Sequence, residues 1–380
     1  MTAKPTPGYF PLLDGLRAVA VAGVLLSHFS PTVASQVDVG GLGVQLFFVL
    51  SGFLITGLLL DARGRIDEGT GSIRAEWKLF LVRRTLRIFP LYYGVLVLGF
   101  IFNVEHVRIA APWLFTYSYN FRIWLAGGWP DRLLAHFWSL AVEEQFYLLW
   151  PWLVLCTPRR ALPWVMLGFL PVALAFRFAC NLGEFGPPLG QVVLLPACWD
   201  LLAAGGLMAL ARHRGWTASP SAGKLLKIVF IVGLCGLALG IWLHADKIGP
   251  SPIGRLRYTF DALCFAVLIH ACANDRIPML RWILGCPVLV YLGRISYGIY
   301  VFHNFMHYYG PGLSRRLIGI RYFSHEWEHV AWLSSCTLAA AALSYHFYER
   351  PWLNLKRRWS LPAPGAIAVP MPAPSRKVST

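Results

Sequence analysis

Three titratable side chains, Asp14, Arg17 and His28, sit inside "LLDGLRAVAVAGVLLSHF", residues 12 to 29, a stretch otherwise apolar enough to enter a bilayer. Arg17 and His28 are eleven residues apart. At 3.6 residues per turn that spacing returns to nearly the same helix face, and at 1.5 Å per residue it sets them ~16 Å apart along the axis. Asp14 stands one turn before Arg17, where the two can pair. An imidazole at one end of such a stripe suits proton transfer or nucleophilic attack. A guanidinium at the other end suits an anion.

Ionisable groups inside a membrane cost ~2.5–3.5 kcal/mol each at a helix centre, so they tend to face a polar cavity and mark function. Three further segments carry them. In "EWKLFLVRRTLRIFPLYY", Arg84 and Arg87 stand one turn apart at the expected cytoplasmic end of a helix, as phosphate ligands or as simple positive-inside anchors. In "HFWSLAVEEQFYLLWP", Glu143 and Glu144 point ~100° apart on a helix, so at least one must leave the lipid face. A carboxylate there could orient His28, stabilise its imidazolium, hold a substrate hydroxyl, or pair with an intramembrane arginine. In "LGRISYGIYVFHNF", Ser296, Tyr297 and His303 join Arg294 as acceptor contacts or interhelical hydrogen-bonding groups. Trp113, Trp124 and Trp129 crowd one outer segment, as a sugar-stacking surface or as an interfacial aromatic belt.

The elements that must hold these groups follow from composition. Of 380 residues, 57% are hydrophobic and 14% charged, against about 25% charged in soluble domains. Mean hydropathy is +0.55. An ordinary soluble enzyme is excluded. The net charge of +16 reflects Lys and Arg in cytoplasmic loops rather than a nucleic-acid partner. The eight cysteines form no C-x-x-C and mostly fall in apolar runs, so they read as small buried hydrophobes, with no disulfide frame and no metal site. The expectation is an all-α polytopic bundle of about ten transmembrane helices, near 12–30, 43–60, 88–105, 138–156, 161–179, 190–211, 224–244, 258–273, 287–309 and 329–348. Residues 109–121 read as a re-entrant or interfacial piece. With both termini cytoplasmic, the inner segments hold more than twice the cations of the outer ones, among them Arg63, Arg65, Arg74, Lys78 and Arg83. Arg17 interrupts the first apolar run and no clear cleavage site follows, so a retained helix is expected there rather than a signal peptide. One membrane domain, residues 1–355, is followed by a basic, then Pro/Ala-rich tail, 356–380, read as a disordered cytoplasmic end.

Taken in order, the chain resembles acyltransferase family 3, the integral membrane acyltransferases that O-acetylate bacterial surface glycans. The resemblance runs from about residue 8 to 355. It rests on the R-x10-H of the first helix, then "GVQLFFVLSGFLIT", "FLVRRTLRIFPLYY", "HFWSLAVEEQFYLLWP", "GRISYGIYVFH" and "YERPW". It implies transfer of an acyl group, usually acetyl from acetyl-CoA, to a hydroxyl of a carbohydrate or glycolipid. It implies a bacterial inner-membrane location, and no bound cofactor beyond acyl-CoA as co-substrate. It places the family's arginine and catalytic histidine on Arg17 and His28, its R-x-x-R on Arg84 and Arg87, and its acidic residue on Glu143 rather than Glu144. Asp14 would then belong to the donor side with the arginines. Some members carry an added extracytoplasmic SGNH-type domain; none is read in this sequence, which is expected to resemble the stand-alone members. Others acylate macrolides, an alternative acceptor class. A transporter or flippase, with no catalysis, also fits ten helices and intramembrane charges; consumption of acetyl-CoA separates it from an enzyme.

Overall fold

The computed structural model describes residues 10–242, 252–275, 277–320 and 323–355, and among them every regular element is helical. The expected tail from 356 onward and the loop cations Lys4, Lys247, Arg276 and Arg321 lie outside the described residues. Proline is the first residue of α1 (Pro11–Phe29), α2 (Pro31–Gln36) and four later helices. There its missing N–H costs nothing and its fixed φ suits the first turn. Ser30 caps α2 by accepting the Val33 amide at 3.1 Å, and Asp38 caps α3 (Val39–Asp67) by accepting the Gly41 amide at 2.7 Å.

Next come α4 (Ile73–Ile101), α5 (Val107–Phe115), α6 (Tyr119–Ala126), α7 (Phe137–Cys156), α8 (Leu162–Asn181), α9 (Gly190–Val193) and α10 (Trp199–His213). They are followed by α11 (Pro220–Trp242), α12 (Pro252–Ala273), α13 (Pro278–Leu284), α14 (Pro287–Arg294), α15 (Ser296–Ile318), α16 (Glu326–Leu343) and α17 (Arg350–Leu355). Six helices are long and apolar enough to cross a bilayer: α1, α3, α4, α8, α11 and residues 255–273 of α12. The chain is a helical membrane bundle. α3 lies at its centre, packed against α1, α7, α10 and α12, while α11 leans on α12 and leaves most of its surface to lipid.

Three expected spans differ in form. The third begins at Ile73 rather than near 88, because Ser72 caps it and Glu76 takes a bidentate bond from Arg65 at 2.8 and 2.7 Å across the α3–α4 turn. The span at 190–211 is broken into α9, a 3-10 turn over Leu195–Cys198, and α10. The span at 287–309 breaks at Ile295 between α14 and α15. The piece at 109–121 becomes two short helices, α5 and α6, with Tyr117 at φ 52° near the turn between them.

Two contacts set the helices around α1 and α3. A Cβ on Gly205 of α10 would stand 2.1 Å from the Val49 carbonyl oxygen, and one on Gly293 of α14 would stand 1.8 Å from that of Asp14. Backbones approach there as only glycine allows. Beyond the bilayer-spanning helices, Glu326 accepts the Thr32 amide at 3.0 Å and the Ser30 and Thr32 hydroxyls, tying α2 to the start of α16. These donors hold its carboxyl below the ordinary 4.5.

Gly205→Ala is expected to cost about 1–3 kcal/mol by overpacking, read as a lower Tm in detergent. Gly168→Ala, where nothing stands within 4 Å, should be neutral or gain up to about 1 kcal/mol; equal Tm values would refute the contact. A carboxyl with a lowered folded value contributes stability above its ordinary value and loses it as pH falls through the lowered one. The Tm advantage of wild type over Glu326→Gln should therefore be full at neutral pH and vanish in acid; a gap unchanged with pH would count against the tether.

Candidate active site

α1 delivers its two polar ends to two different cavities. Near its C-terminus, the His28 Nδ1 lies 2.9 Å from the Val24 carbonyl oxygen. A carbonyl only accepts, so Nδ1 carries the proton and Nε2 keeps a lone pair. The His28 ring is exposed to a cavity of about 920 Å³ that Asp38, Gln45, Trp129, Trp138 and Tyr258 also line. Behind it the His303 ring stands edge-on at 4.7 Å, and the His136 ring lies 5.0 Å beyond that. His303 is fully buried; its Nδ1 donates to the Tyr300 carbonyl at 2.5 Å and its Nε2 has no partner. His136 Nε2 donates to the Val301 carbonyl at 3.2 Å. Among the described residues no group of three or more His, Cys, Asp or Glu is placed to hold a metal ion.

One and a half turns inside its N-terminus, α1 presents Arg17 to a second cavity, of about 740 Å³. Arg84 and Arg87 of α4, Ser51 of α3, Glu143 and Tyr147 of α7, and Ser296 and Tyr297 of α15 line it too. The early start of α4 places Arg84 and Arg87 well inside the helix, not at its end. Neither makes a hydrogen bond or ion pair among the described residues; Arg84 stands 5.4 Å from the Tyr147 ring centre and 5.8 Å from that of Phe80. Glu143 faces this cavity and accepts the Ser51 hydroxyl at 2.7 Å. Glu144 turns into the packing, buried, with Oε1 unpartnered. Tyr297 donates to the Ile88 carbonyl at 2.9 Å. Asp14 does not line this cavity. It holds Arg17 at 2.9 Å and Arg294 at 3.9 Å, and lines a third cavity that shares Arg17, Arg87 and Tyr297 with the second.

Val44, Phe48 and Tyr300 line both the arginine cavity and the His28 cavity, so the two adjoin at these side chains. Sequence reasoning placed Arg17 and His28 on one stripe; the structure opens the stripe into two adjoining chambers. It missed Ser51, Tyr147 and Tyr300, whose hydroxyls look like ordinary helix polar groups, and Asp38, which reads as a loop cap. Of the three tryptophans, Trp129 lines the His28 cavity, whereas Trp124 donates to the Phe185 carbonyl at 3.2 Å and packs with Trp113 against the core. It also left unpaired a buried ion pair that backs the His28 cavity. Arg177, fully buried, bonds Asp200 at 2.6 and 3.0 Å, the Ala197 carbonyl at 2.6 Å and Thr259 at 2.9 Å. Its guanidinium lies 5.3 Å from the ring centre of Tyr258.

A membrane bundle with unpaired guanidinium groups in one chamber and a free imidazole lone pair in the next has the parts of a membrane group-transfer enzyme. Residues 10–349 match the family described as an acyltransferase domain, and the chain belongs to that family. It is similar to Peptidoglycan O-acetyltransferase OatA of Listeria monocytogenes, 34% identical over 380 residues, covering 92% of this chain and 57% of that protein. It is also similar to YrhL of Bacillus subtilis, 29% identical over 366 residues, covering 90% of this chain and 55% of that protein. The chain thus spans just over half the length of these curated relatives. No solved structure matches it.

Removing one member of the buried pair should be costly, because the other charge is stranded: Arg177→Met is expected to lose about 3–5 kcal/mol, and Arg177→Met with Asp200→Leu much less. Thermal unfolding in detergent checks this; a double variant as unstable as the single one would show that packing, not charge pairing, is the larger contribution.

Proposed function

We propose that this chain is a membrane O-acyltransferase that moves an acetyl group from acetyl-CoA to a hydroxyl of an envelope glycan, in a bacterial cytoplasmic membrane with both termini inside. The observation that carries the reading is the shared wall of Val44, Phe48 and Tyr300 between an arginine chamber and the His28 chamber. Arg84 and Arg87, free of carboxylate partners, fit the phosphates of the donor, with Arg17 steadied beside them by Asp14. The thin pantetheine arm then runs along the arginine chamber and brings the thioester to the shared wall. The acceptor occupies the His28 chamber. The printed name of the Listeria relative supports a glycan there and makes peptidoglycan the first acceptor to test.

The held tautomer supplies the chemistry. His28 Nε2 takes the proton of the acceptor hydroxyl as the oxygen attacks the thioester carbon; the C–O bond forms, the C–S bond breaks, and the proton passes to the leaving thiolate. The Val24 carbonyl keeps Nδ1–H in place and steadies the imidazolium between these steps. The same lone pair can attack the thioester first, expelling the CoA thiolate and giving an Nε2-acetyl imidazolium; the hydroxyl then attacks that acetyl carbon, the C–N bond breaks, and the hydroxyl proton passes to the thiolate. Glu143, held by Ser51, keeps a carboxylate beside the arginines and balances their charge when the chamber is empty.

His28→Ala is expected to lower acetyl transfer by about 10²–10⁴ with acetyl-CoA binding retained. Arg84→Ala and Arg87→Ala should raise KM for acetyl-CoA far more than they change kcat. The assay is release of free CoA from acetyl-CoA by the full chain in nanodiscs, with envelope glycans from a strain lacking the protein. Full transfer by His28→Ala would end the catalytic assignment. Glycan movement with no CoA release would favour the transporter. An acetyl-enzyme trapped without acceptor would select the covalent route.

A further inference from the structure

The two chambers differ in sign. Arg17, Arg84 and Arg87 face the first. Among the described residues that line the second there is no Lys or Arg, and the one carboxylate is Asp38. Asp38 Oδ1 is occupied by the Gly41 amide at 2.7 Å, which fixes the carboxylate at the start of α3. Its Oδ2 takes no hydrogen bond or ion pair among the described residues. Gln45, two turns further along the same helix, lines the cavity with its side-chain amide, its Oε1 buried and unpartnered. His28 Nε2 is the second open acceptor.

A chamber with two open acceptors, Asp38 Oδ2 and His28 Nε2, and no Lys or Arg in its lining asks for a ligand that donates hydrogen bonds and carries no negative charge. A sugar ring does so through its hydroxyls, and its apolar face suits the rings of Trp129 and Trp138 on the same wall. A carboxylate or phosphate on that ring would meet Asp38 with no Lys or Arg in the lining to offset it, and like-charge juxtaposition is an effective way to refuse a wrong partner.

We propose that Asp38 and Gln45 form the specificity face of an acceptor subsite for an uncharged, hydroxyl-rich sugar ring, and that Asp38 turns away rings bearing an acidic group. This rests on the reading of the His28 chamber as the acceptor site. Charge already decides which substrate goes where: the polyanionic donor is held by arginines on one side of the wall and is unwelcome on the other. Gln45 contributes a hydrogen bond to the ring without adding charge, so the discrimination lies with Asp38.

The test uses the full chain in nanodiscs with labelled acetyl-CoA and two matched sets of short glycans, neutral N-acetylhexosamine and hexose oligomers against uronic-acid oligomers of equal length. Wild type should favour the neutral set by about tenfold or more in kcat/KM, and Asp38→Asn should shrink that ratio to within about threefold by improving the acidic set. Gln45→Ala should lower transfer to the neutral set with the ratio unchanged. KM for acetyl-CoA, a readout of the other chamber, should stay put in both variants. Equal use of acidic and neutral glycans by wild type would overturn the proposal, as would an Asp38→Asn variant that loses both sets alike. Release of CoA with transfer to neither set overturns the acceptor subsite while leaving acyl-CoA chemistry standing. No release of CoA under any condition overturns the acyltransferase reading with it.

Discussion

A charge in hydrocarbon must find an opposite charge, a set of hydrogen bonds, or water, because bare burial costs several kcal/mol. That constraint sorts the arginines of this bundle and shapes everything around them. Arg177 satisfies it through its two terminal nitrogens, with Asp200, Thr259 and a backbone carbonyl closing around them while Nε stays unpartnered. Arg17 satisfies it in part, through Asp14, while still reaching a cavity. Arg84 and Arg87 make no direct ion pair among the described residues and line a cavity with Glu143, with aromatic rings at the side of Arg84. The first arginine is a structural group. The last two border a chamber, and no direct ion pair among the described residues holds them.

One helix ties the two chambers together. α1 spans from the arginine chamber to the histidine chamber, and its backbone is clasped too tightly to slide: Gly293 meets the Asp14 carbonyl on one side, and α3 packs along another. Arg17 and His28 are therefore set at fixed depths by one rigid helix. A ligand that reached from Arg17 to His28 would have to be long and thin. Val44, Phe48 and Tyr300 mark the place where the two chambers adjoin. Tyr300 is itself fixed, its hydroxyl 2.5 Å from Ser139 and donating to the His136 carbonyl at 3.0 Å.

Much of this was legible in the sequence. Hydropathy located the apolar helices, because a bilayer imposes one length on all of them. The eleven-residue spacing placed Arg17 and His28, and the adjacent Glu143 and Glu144 had to diverge by ~100°, which is why one reached the arginine chamber and the other did not. Other features left no mark that one sequence could show. Arg177 and Asp200 are 23 positions apart in chain and meet only through the packing of α8 on α10. Asp38 looks like a helix cap because it is one; only the cavity beside its second oxygen gives it another role. Arg84 and Arg87 were expected at a helix end because hydropathy measures apolar length and is blind to a cationic first half of a helix capped by Ser72.

The interrupted helices are the part that hydropathy had least means to see, and they are where the site is built. Irregular backbone at membrane depth survives only where protein or a water-filled cavity satisfies its polar groups. The break over Leu195–Cys198 lets Val192, Cys198 and Leu201 line the His28 chamber, and Asn120 closes one of the carbonyls it frees by donating to Val193 at 3.2 Å. The break at Ile295 turns Ser296 and Tyr297 into the arginine chamber, and Tyr297 returns a hydrogen bond to the Ile88 carbonyl of α4. An unbroken helix at either place would bury the same apolar surface with fewer orphaned backbone groups. Each break gives up that local stability at a point that borders a chamber, and the two chambers are what the breaks leave open.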